Sequence, residues 1–309
     1  MGIDRPDGAD VPSDRHAAQS ADQADAPGEG SRRPDQSGAE RVEVRDRDTY
    51  YSDLRGAVSA GKQSEAQERW DKEAEQSREE WAEHLRKWPS EKRTPADRPD
   101  DPPGTWRGDS NRPLDRAANE YVEEQCDRIA QIERDTISPA MRAIENQDSG
   151  RHLIGFEHRL KDRDRIKDKV SVDIDENGRT VYEAVPRVKD AIRFTFAYSE
   201  QGYADGVRAD LTRMEARGFM QVERRNSWID SQYKGINSRW REPVTGQVFE
   251  VQFHTEISFE AKQITHKAYE RIRNPNTPRA ELRELRNFQR GVCERVPIPP
   301  GAADIPDYP

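Results

Sequence analysis

The stretch FEVQFHTEISFEAKQITHKAYERI, Phe249 to Ile272, changes period half-way along. Phe249, Val251 and Phe253 fall on one side of an extended chain, and Glu250, Gln252 and His254 fall on the other. After His254 the alternation stops and a helical pattern begins, with Ser258 placed to cap it and Asn274–Pro275 placed to end it. An apolar strand face explains three of the six alternating residues. An acid, an amide and an imidazole in a row make the other face either a wetted surface or a site. In the helix, His266 stands one helical step from both Lys262 and Glu270.

The elements around this stretch predict an α+β domain: a mixed sheet with flanking helices. Residues 181–185 (VYEAV), 188–198 (VKDAIRFTFAY) and 219–228 read as strands from their β-branched and aromatic content. Residues 236–241 and 247–254 read as a hairpin around EPVTG. Helices are expected over 113–147, with a break or kink at Pro139, over the basic segment 157–170, over 205–217 with Gly218 closing it, and over 279–290. This domain spans 113–296. Residues 297–309 form a Pro-rich tail expected to be loose. Upstream, residues 1–49 contain no Phe, Trp or Tyr and read as a disordered acidic leader. Residues 50–88 read as an amphipathic helical segment bearing Trp70, Trp81 and Trp88, and 89–112 as a Pro/Asp/Arg-rich linker. The tryptophans can dock on a partner or pack back on the domain.

Charge separates the halves. Residues 1–150 carry 23 Lys and Arg against 35 Asp and Glu, whereas residues 151–296 carry 28 against 23. A basic back half suits an anionic ligand. No run approaches 18 apolar residues, so no membrane helix is expected. The N-terminus lacks a secretory pattern. Cys126 and Cys293 are too few for a disulfide framework, which predicts reduced thiols and a cytoplasmic setting.

Three further groups bear chemistry. Arg159, Lys161, Arg165 and Lys169 project basic groups from a predicted helix and suit phosphate oxygens, or else pair with Asp162, Asp164 and Asp168 on a solvated face. Asp190, predicted to share a strand face with Ile192 and Phe194, suits a hard cation or a structural ion pair. Tyr233 at a strand mouth suits base stacking or an ordinary edge role.

Taken in order, these segments resemble the synthetase domain of the RelA/SpoT family, the alarmone pyrophosphokinases. Arg159, Lys161, Arg165 and Lys169 fall on the family's R-x-K-x-x-x-S-x-x-x-K segment. VKDAIRF falls near D-[IL]-x-G-[IV]-R, and Tyr233-Lys234-Gly235-Ile236-Asn237 falls on G-Y-x-S-x-H. EVQFHT falls on E-[IV]-Q-[IL]-R-T, followed by Ala261-Lys262 for A-E and His266 to Tyr269 for H-x-x-Y. The resemblance covers roughly 120–296. It implies a nucleotidyltransferase-like sheet and transfer of the β,γ-pyrophosphate of ATP to the 3′-hydroxyl of an acceptor, with Mg2+. It also implies roles. Arg159, Lys161, Arg165 and Lys169 would hold ATP phosphates, and Asp190 and Glu250 would serve as catalytic carboxylates and metal ligands. Tyr233, Lys234, Asn237, Gln252, His254 and His266 would line the acceptor side.

The chain departs from the pattern at Arg165, at the Asp190–Arg193 spacing, at Asn237 and at His254. Guanosine nucleotides, adenosine nucleotides and an RNA 3′ end are all candidate acceptors. No hydrolase signature precedes the domain, an architecture similar to toxin or effector members. A protein partner, whether an antitoxin or a loading factor for residues 1–88, belongs to that reading. A catalytically silent nucleotide- or RNA-binding module of the same fold is the alternative.

Overall fold

A computed structural model describes residues 65–89, 101–274 and 277–309. The predicted leader, the start of the amphipathic segment and residues 90–100 of the linker lie outside the described residues.

Five strands form one mixed sheet in the order β3-β4-β7-β6-β5. They are β3 (Arg151–Leu153), β4 (Arg193–Tyr198), β5 (Met220–Asn226), β6 (Ile236–Arg241) and β7 (Val248–Thr255). β4 and β7 run parallel at the centre, and the remaining pairs are antiparallel. Helices flank this sheet, as the order of elements along the chain predicts. The apolar face is built from Phe194, Phe196, Tyr198, Phe249, Val251 and Phe253, all buried. It packs against α6 (Tyr203–Ala216) through Tyr203, Val207 and Met214. The opposite face carries Arg193, Thr195, Glu250, Gln252, Asn237 and Arg239, brought side by side by the register Arg193↔Glu250↔Arg239 and Thr195↔Gln252↔Asn237.

The helices are α1 (Glu65–Lys87), α2 (Arg116–Ile132), α3 (Ser138–Glu145), α4 (Arg163–Asn177), α5 (Val181–Ala184), α6, α7 (Glu256–Arg273) and α8 (Arg279–Glu294). α1 lies on α7 and α8. Trp70 is buried and its Nε1 donates to Glu260 at 2.8 Å, while Trp88 Nε1 donates to Glu284 at 2.9 Å. Trp81 packs on Phe288. The tryptophans therefore pack on their own chain.

Several elements differ from expectation for identifiable reasons. Residues 181–185 are helical: Thr180 and Glu183 form a reciprocal capping box, and this local cap outweighs β-branched composition. The irregularity near Pro139 is a π turn over Glu133–Ile137, one turn earlier, and the proline follows it in the first turn of α3. The basic segment is helical only from Arg163, because Asp162 caps α4 with its side chain. Arg159 and Lys161 precede that helix on a chain paired to residues 191–193, with Lys161 N donating to Ala191 O at 2.9 Å and Arg193 N to Arg159 O at 2.7 Å. α7 is capped by Thr255, with Ser258 completing the box three residues on.

The described part of the linker also folds. β1 (Trp106–Arg107) pairs with β2 (Pro113–Leu114), and Trp106 Nε1 donates to Asp164 at 2.9 Å. The tail is not loose. Pro299, Ala302 and Ile305 are buried, and Tyr308 exchanges backbone hydrogen bonds with Arg224 on β5. A sheet edge leaves unpaired N–H and C=O groups, and this tail covers part of that edge.

Candidate active site

The polar face of the sheet forms a floor on which the candidate residues gather, with α4 and α7 contributing side chains to it. Asp190 lies in the turn before β4, not on the strand, so the predicted shared face with Ile192 and Phe194 does not form. Its carboxylate instead collects cations from three elements. Lys169 on α4 donates to Oδ1 at 2.8 Å and Oδ2 at 2.7 Å, Lys161 lies 3.1 Å from Oδ2, and Arg193 Nη2 donates to Oδ2 at 3.1 Å. Burial works against this charge, but Lys161, Lys169 and Arg193 outweigh it and hold the Asp190 carboxyl down to about 2. The same guanidinium reaches Glu250, with Nε donating to Oε2 at 2.9 Å. Asp190 and Glu250 thus meet at Arg193.

Glu250 is held from its other side as well. Gln252 Nε2 donates to Oε1 at 2.6 Å, and Lys262 on α7 donates to Gln252 Oε1. Both carboxylate oxygens are fixed by donors locked in the sheet, and the side chain is 10% exposed. Arg193, Glu250, Gln252 and Lys262 form one continuous chain of polar contacts across β4, β7 and α7.

A second cluster sits beside it. The Tyr233 hydroxyl donates to Asn237 Oδ1 at 2.8 Å and pairs with His254 Nε2 at 2.7 Å; His254 Nδ1 pairs with Ser258 Oγ at 2.8 Å. Burial, with Lys262 adding to it, pushes His254 far below the usual imidazole range, so the ring is neutral and serves as a hydrogen-bonding hinge between Tyr233 and α7. Burial, then Glu250, raises the Tyr233 phenol well above its ordinary value, so it stays protonated. Gly235 makes the approach possible. Its φ is +147°, and a Cβ there would meet His254 Cε1 at 2.7 Å.

The remaining sequence candidates fall elsewhere. Arg159 Nε donates to the buried Glu133 of the π turn at 2.7 Å, and its guanidinium lies over Phe156. Arg165 reaches across to Glu270 on α7 at 3.0 Å, and His266 lies 3.4 Å from the same carboxylate. Lys234 is buried and donates to the Trp228 carbonyl at 2.8 Å. Neither Arg165 nor Lys234 bonds to the Asp190–Glu250 floor. Arg193 and Lys262 were not singled out as site residues from the sequence. The signals were the pairing of an arginine-bearing strand with the Glu250 strand, and the helical spacing between Lys262 and His266.

No family model and no curated protein matches this chain. Among solved structures, it is similar to the small alarmone synthetase 1 from Bacillus subtilis, at 17% identity over 57% of this chain and 87% of that one, with a TM-score of 0.35. It is similar also to the small alarmone synthetase 2 from the same organism (14% identity, 54% and 89% covered, TM-score 0.38). A GTP pyrophosphokinase family protein from Streptococcus pneumoniae matches at 16% identity, 57% and 84% covered, with a TM-score of 0.35. At those values the chain's own residues, not the likeness, carry the functional reading.

Proposed function

We propose that the chain is a pyrophosphokinase that moves the β,γ-pyrophosphate of ATP to the 3′-hydroxyl of an acceptor. The observation that carries this is the convergence of Lys161, Lys169 and Arg193 on Asp190, with Arg193 joining Asp190 to Glu250. Ammonium and guanidinium donors match the oxygens of a triphosphate, and phosphoryl-type transfer depends mainly on positioning and charge neutralisation. The ordered motifs that resemble the RelA/SpoT synthetases fall on this floor and around it.

The chain's residues divide the work. Lys161, Lys169 and Arg193 hold phosphate oxygens on one side, while the Arg159 guanidinium is held by Glu133. Glu250, fixed by Arg193 and Gln252, orients the attacking hydroxyl and accepts its hydrogen bond. The Tyr233 ring, fixed at its hydroxyl by Asn237 and His254, offers a face for the acceptor base. Asp190 and Glu250 would hold Mg2+ together with substrate phosphates once those phosphates draw Lys161, Lys169 and Arg193 away from Asp190, because the ion takes one or two carboxylates along with phosphate oxygens. Among the described residues no three His, Cys, Asp or Glu side chains cluster to hold a metal by themselves. When bound, the ion would neutralise charge on the transferred group.

The acceptor belongs to the guanosine or adenosine nucleotides or to RNA 3′ ends, and a growth-inhibiting role follows if that transfer depletes an essential pool. The test is incubation of the full chain with γ-labelled ATP, Mg2+ and a panel of GDP, GTP, AMP, ADP, ATP and tRNA. Label moves to one class of acceptor, and Glu250→Gln reduces the rate by about 100-fold or more. Nucleotide binding without any label transfer would instead establish the silent binding module. Induction of the full chain in a bacterium tests the toxin role: arrested growth supports it, and growth equal to that with Glu250→Gln refutes it.

A further inference from the structure

Lys262 differs from Lys161, Lys169 and Arg193 on the floor in lacking an acid; the buried Lys234 lacks one too, but it donates to the Trp228 carbonyl and does not bond to the floor. Lys161, Lys169 and Arg193 share Asp190, Arg159 has Glu133, and Arg165 has Glu270. Among the described residues Lys262 forms no ion pair, and its partner is the Gln252 amide oxygen. Its ammonium lies 5.2 Å from the centre of the Phe259 ring. A cation withdrawn from water and given a neutral partner is costly, and an arriving anion relieves that cost.

Its position says which substrate would bring the anion. The phosphate-holding cations gather around Asp190, at the β4 end of the polar chain. Lys262 is at the other end, beyond Gln252, beside the His254, Ser258, Asn237 and Tyr233 cluster.

We propose that Lys262 anchors a phosphate of the acceptor, the one on the 5′ side of the ribose whose 3′-hydroxyl attacks. The inference rests on the pyrophosphokinase reading for the orientation of that ribose. It makes a phosphorylated acceptor, rather than a bare nucleoside, the preferred partner. A free nucleotide and the terminal residue of an RNA both carry such a group. The electrostatics agree: burial, then Arg193, brings the Lys262 amine down to about 7 against the pull of Glu250. His254 and His266 both feel its charge, and both are themselves held low, with burial the leading cause. A phosphate at Lys262 would return the amine to its charged form.

The test is equilibrium binding to the full chain in wild-type, Lys262→Met and Lys262→Arg forms. The probes are GDP, ADP and tRNA, with guanosine and adenosine as unphosphorylated controls and a non-hydrolysable ATP analogue for the donor side. The expected result is that Lys262→Met weakens GDP, ADP or tRNA by about 10- to 100-fold, the worth of one charge-assisted hydrogen bond. Lys262→Arg retains most of the affinity. Nucleosides and the ATP analogue bind as before. Loss confined to tRNA assigns the phosphate to RNA; loss confined to GDP or ADP assigns it to a free nucleotide. Equal affinity of wild type and Lys262→Met for every phosphorylated probe overturns the proposal, as does an equal loss for the ATP analogue or failure of wild type to bind any of them. The thermal midpoint separates folding from binding. Removing an uncompensated buried cation leaves Lys262→Met as stable as wild type or more so, whereas a structural lysine would lower it. Lysine-dependent binding without label transfer in the preceding assay would refute the kinase reading and leave the anchor standing.

Discussion

Arg193 sets the geometry of the floor, because one guanidinium holds two carboxylates that repel each other. Nη2 takes Asp190 and Nε takes Glu250. Burial disfavours the arginine's charge, yet Glu250 and Asp190 raise its pKa, so it stays charged throughout the working range. Asp190 has the opposite sign of response. Its folded value of about 2 lies below the ordinary 3.8, so the stability it contributes is complete above the unfolded value and lost as pH falls through about 4 to about 2. Denaturation at stepped pH should show wild type losing on the order of 2 kcal/mol more than Asp190→Asn across that window. Equal losses would mean that the three cations do not act on Asp190 in the folded chain. Gly235 makes a second prediction at this scale. A methyl group there enters the His254 ring on a backbone at φ +147°, so Gly235→Ala should cost about 1–3 kcal/mol in urea denaturation. An unchanged midpoint would mean that the turn has room to shift.

At the scale of elements, the joint between β7 and α7 was legible because its signal is a change of period. Alternation in Phe249 to His254 is imposed by strands on both sides, and the helical pattern after it by burial of Ile257, Ala261, Ile264 and Ala268. The same alternation did not reveal that its polar half is buried too: Glu250 is 8% exposed, Gln252 4% and His254 0%. Those residues are covered by Arg193, Lys262 and Tyr233, which come from three other segments, and no local pattern reports that. Residues 181–185 misled because composition favours a strand while a four-residue cap decides for helix. Asp190 misled because the strand starts at Arg193, five residues later than the run from Val188 suggests. The tail misled because proline content says nothing about an uncovered edge on β5. Ile305 is 2% exposed and lies in a segment tied to that edge. Ile305→Ala should therefore lower stability by about 2–4 kcal/mol, read from the denaturation midpoint. A change below 0.5 kcal/mol, the usual size for a surface substitution, would show that the tail is not part of the packed domain.

At the scale of the molecule, α7 links the candidate site to α1, the first of the described elements. Its Glu260 accepts from Trp70 Nε1 at 2.8 Å and pairs with Arg78 on α1, whereas its Lys262 reaches Gln252 on the floor. Two residues of one helix thus serve α1 and the site. α1 binds α8 too, through Lys87 and Trp88 on Glu284 and through Arg295 on Ser77. A helix that buries a tryptophan to 1% exposure against its own chain is part of the fold, so the domain that must be purified for assays begins before α1 rather than after the linker. Trp70→Ala tests this. Deleting a buried indole costs about 3–5 kcal/mol, combining lost transfer energy with the cavity left behind. Part of the loss should appear at the candidate site, because α7 is freed on the face opposite Lys262. The expected outcome is a lower denaturation midpoint together with weaker binding of whichever phosphorylated acceptor depends on Lys262, and unchanged binding of the ATP analogue, whose cations come from α4, β4 and the segment just before α4. A Trp70→Ala chain with wild-type stability would show that α1 is dispensable. A destabilised chain with full acceptor affinity would show that α7 keeps its place without α1.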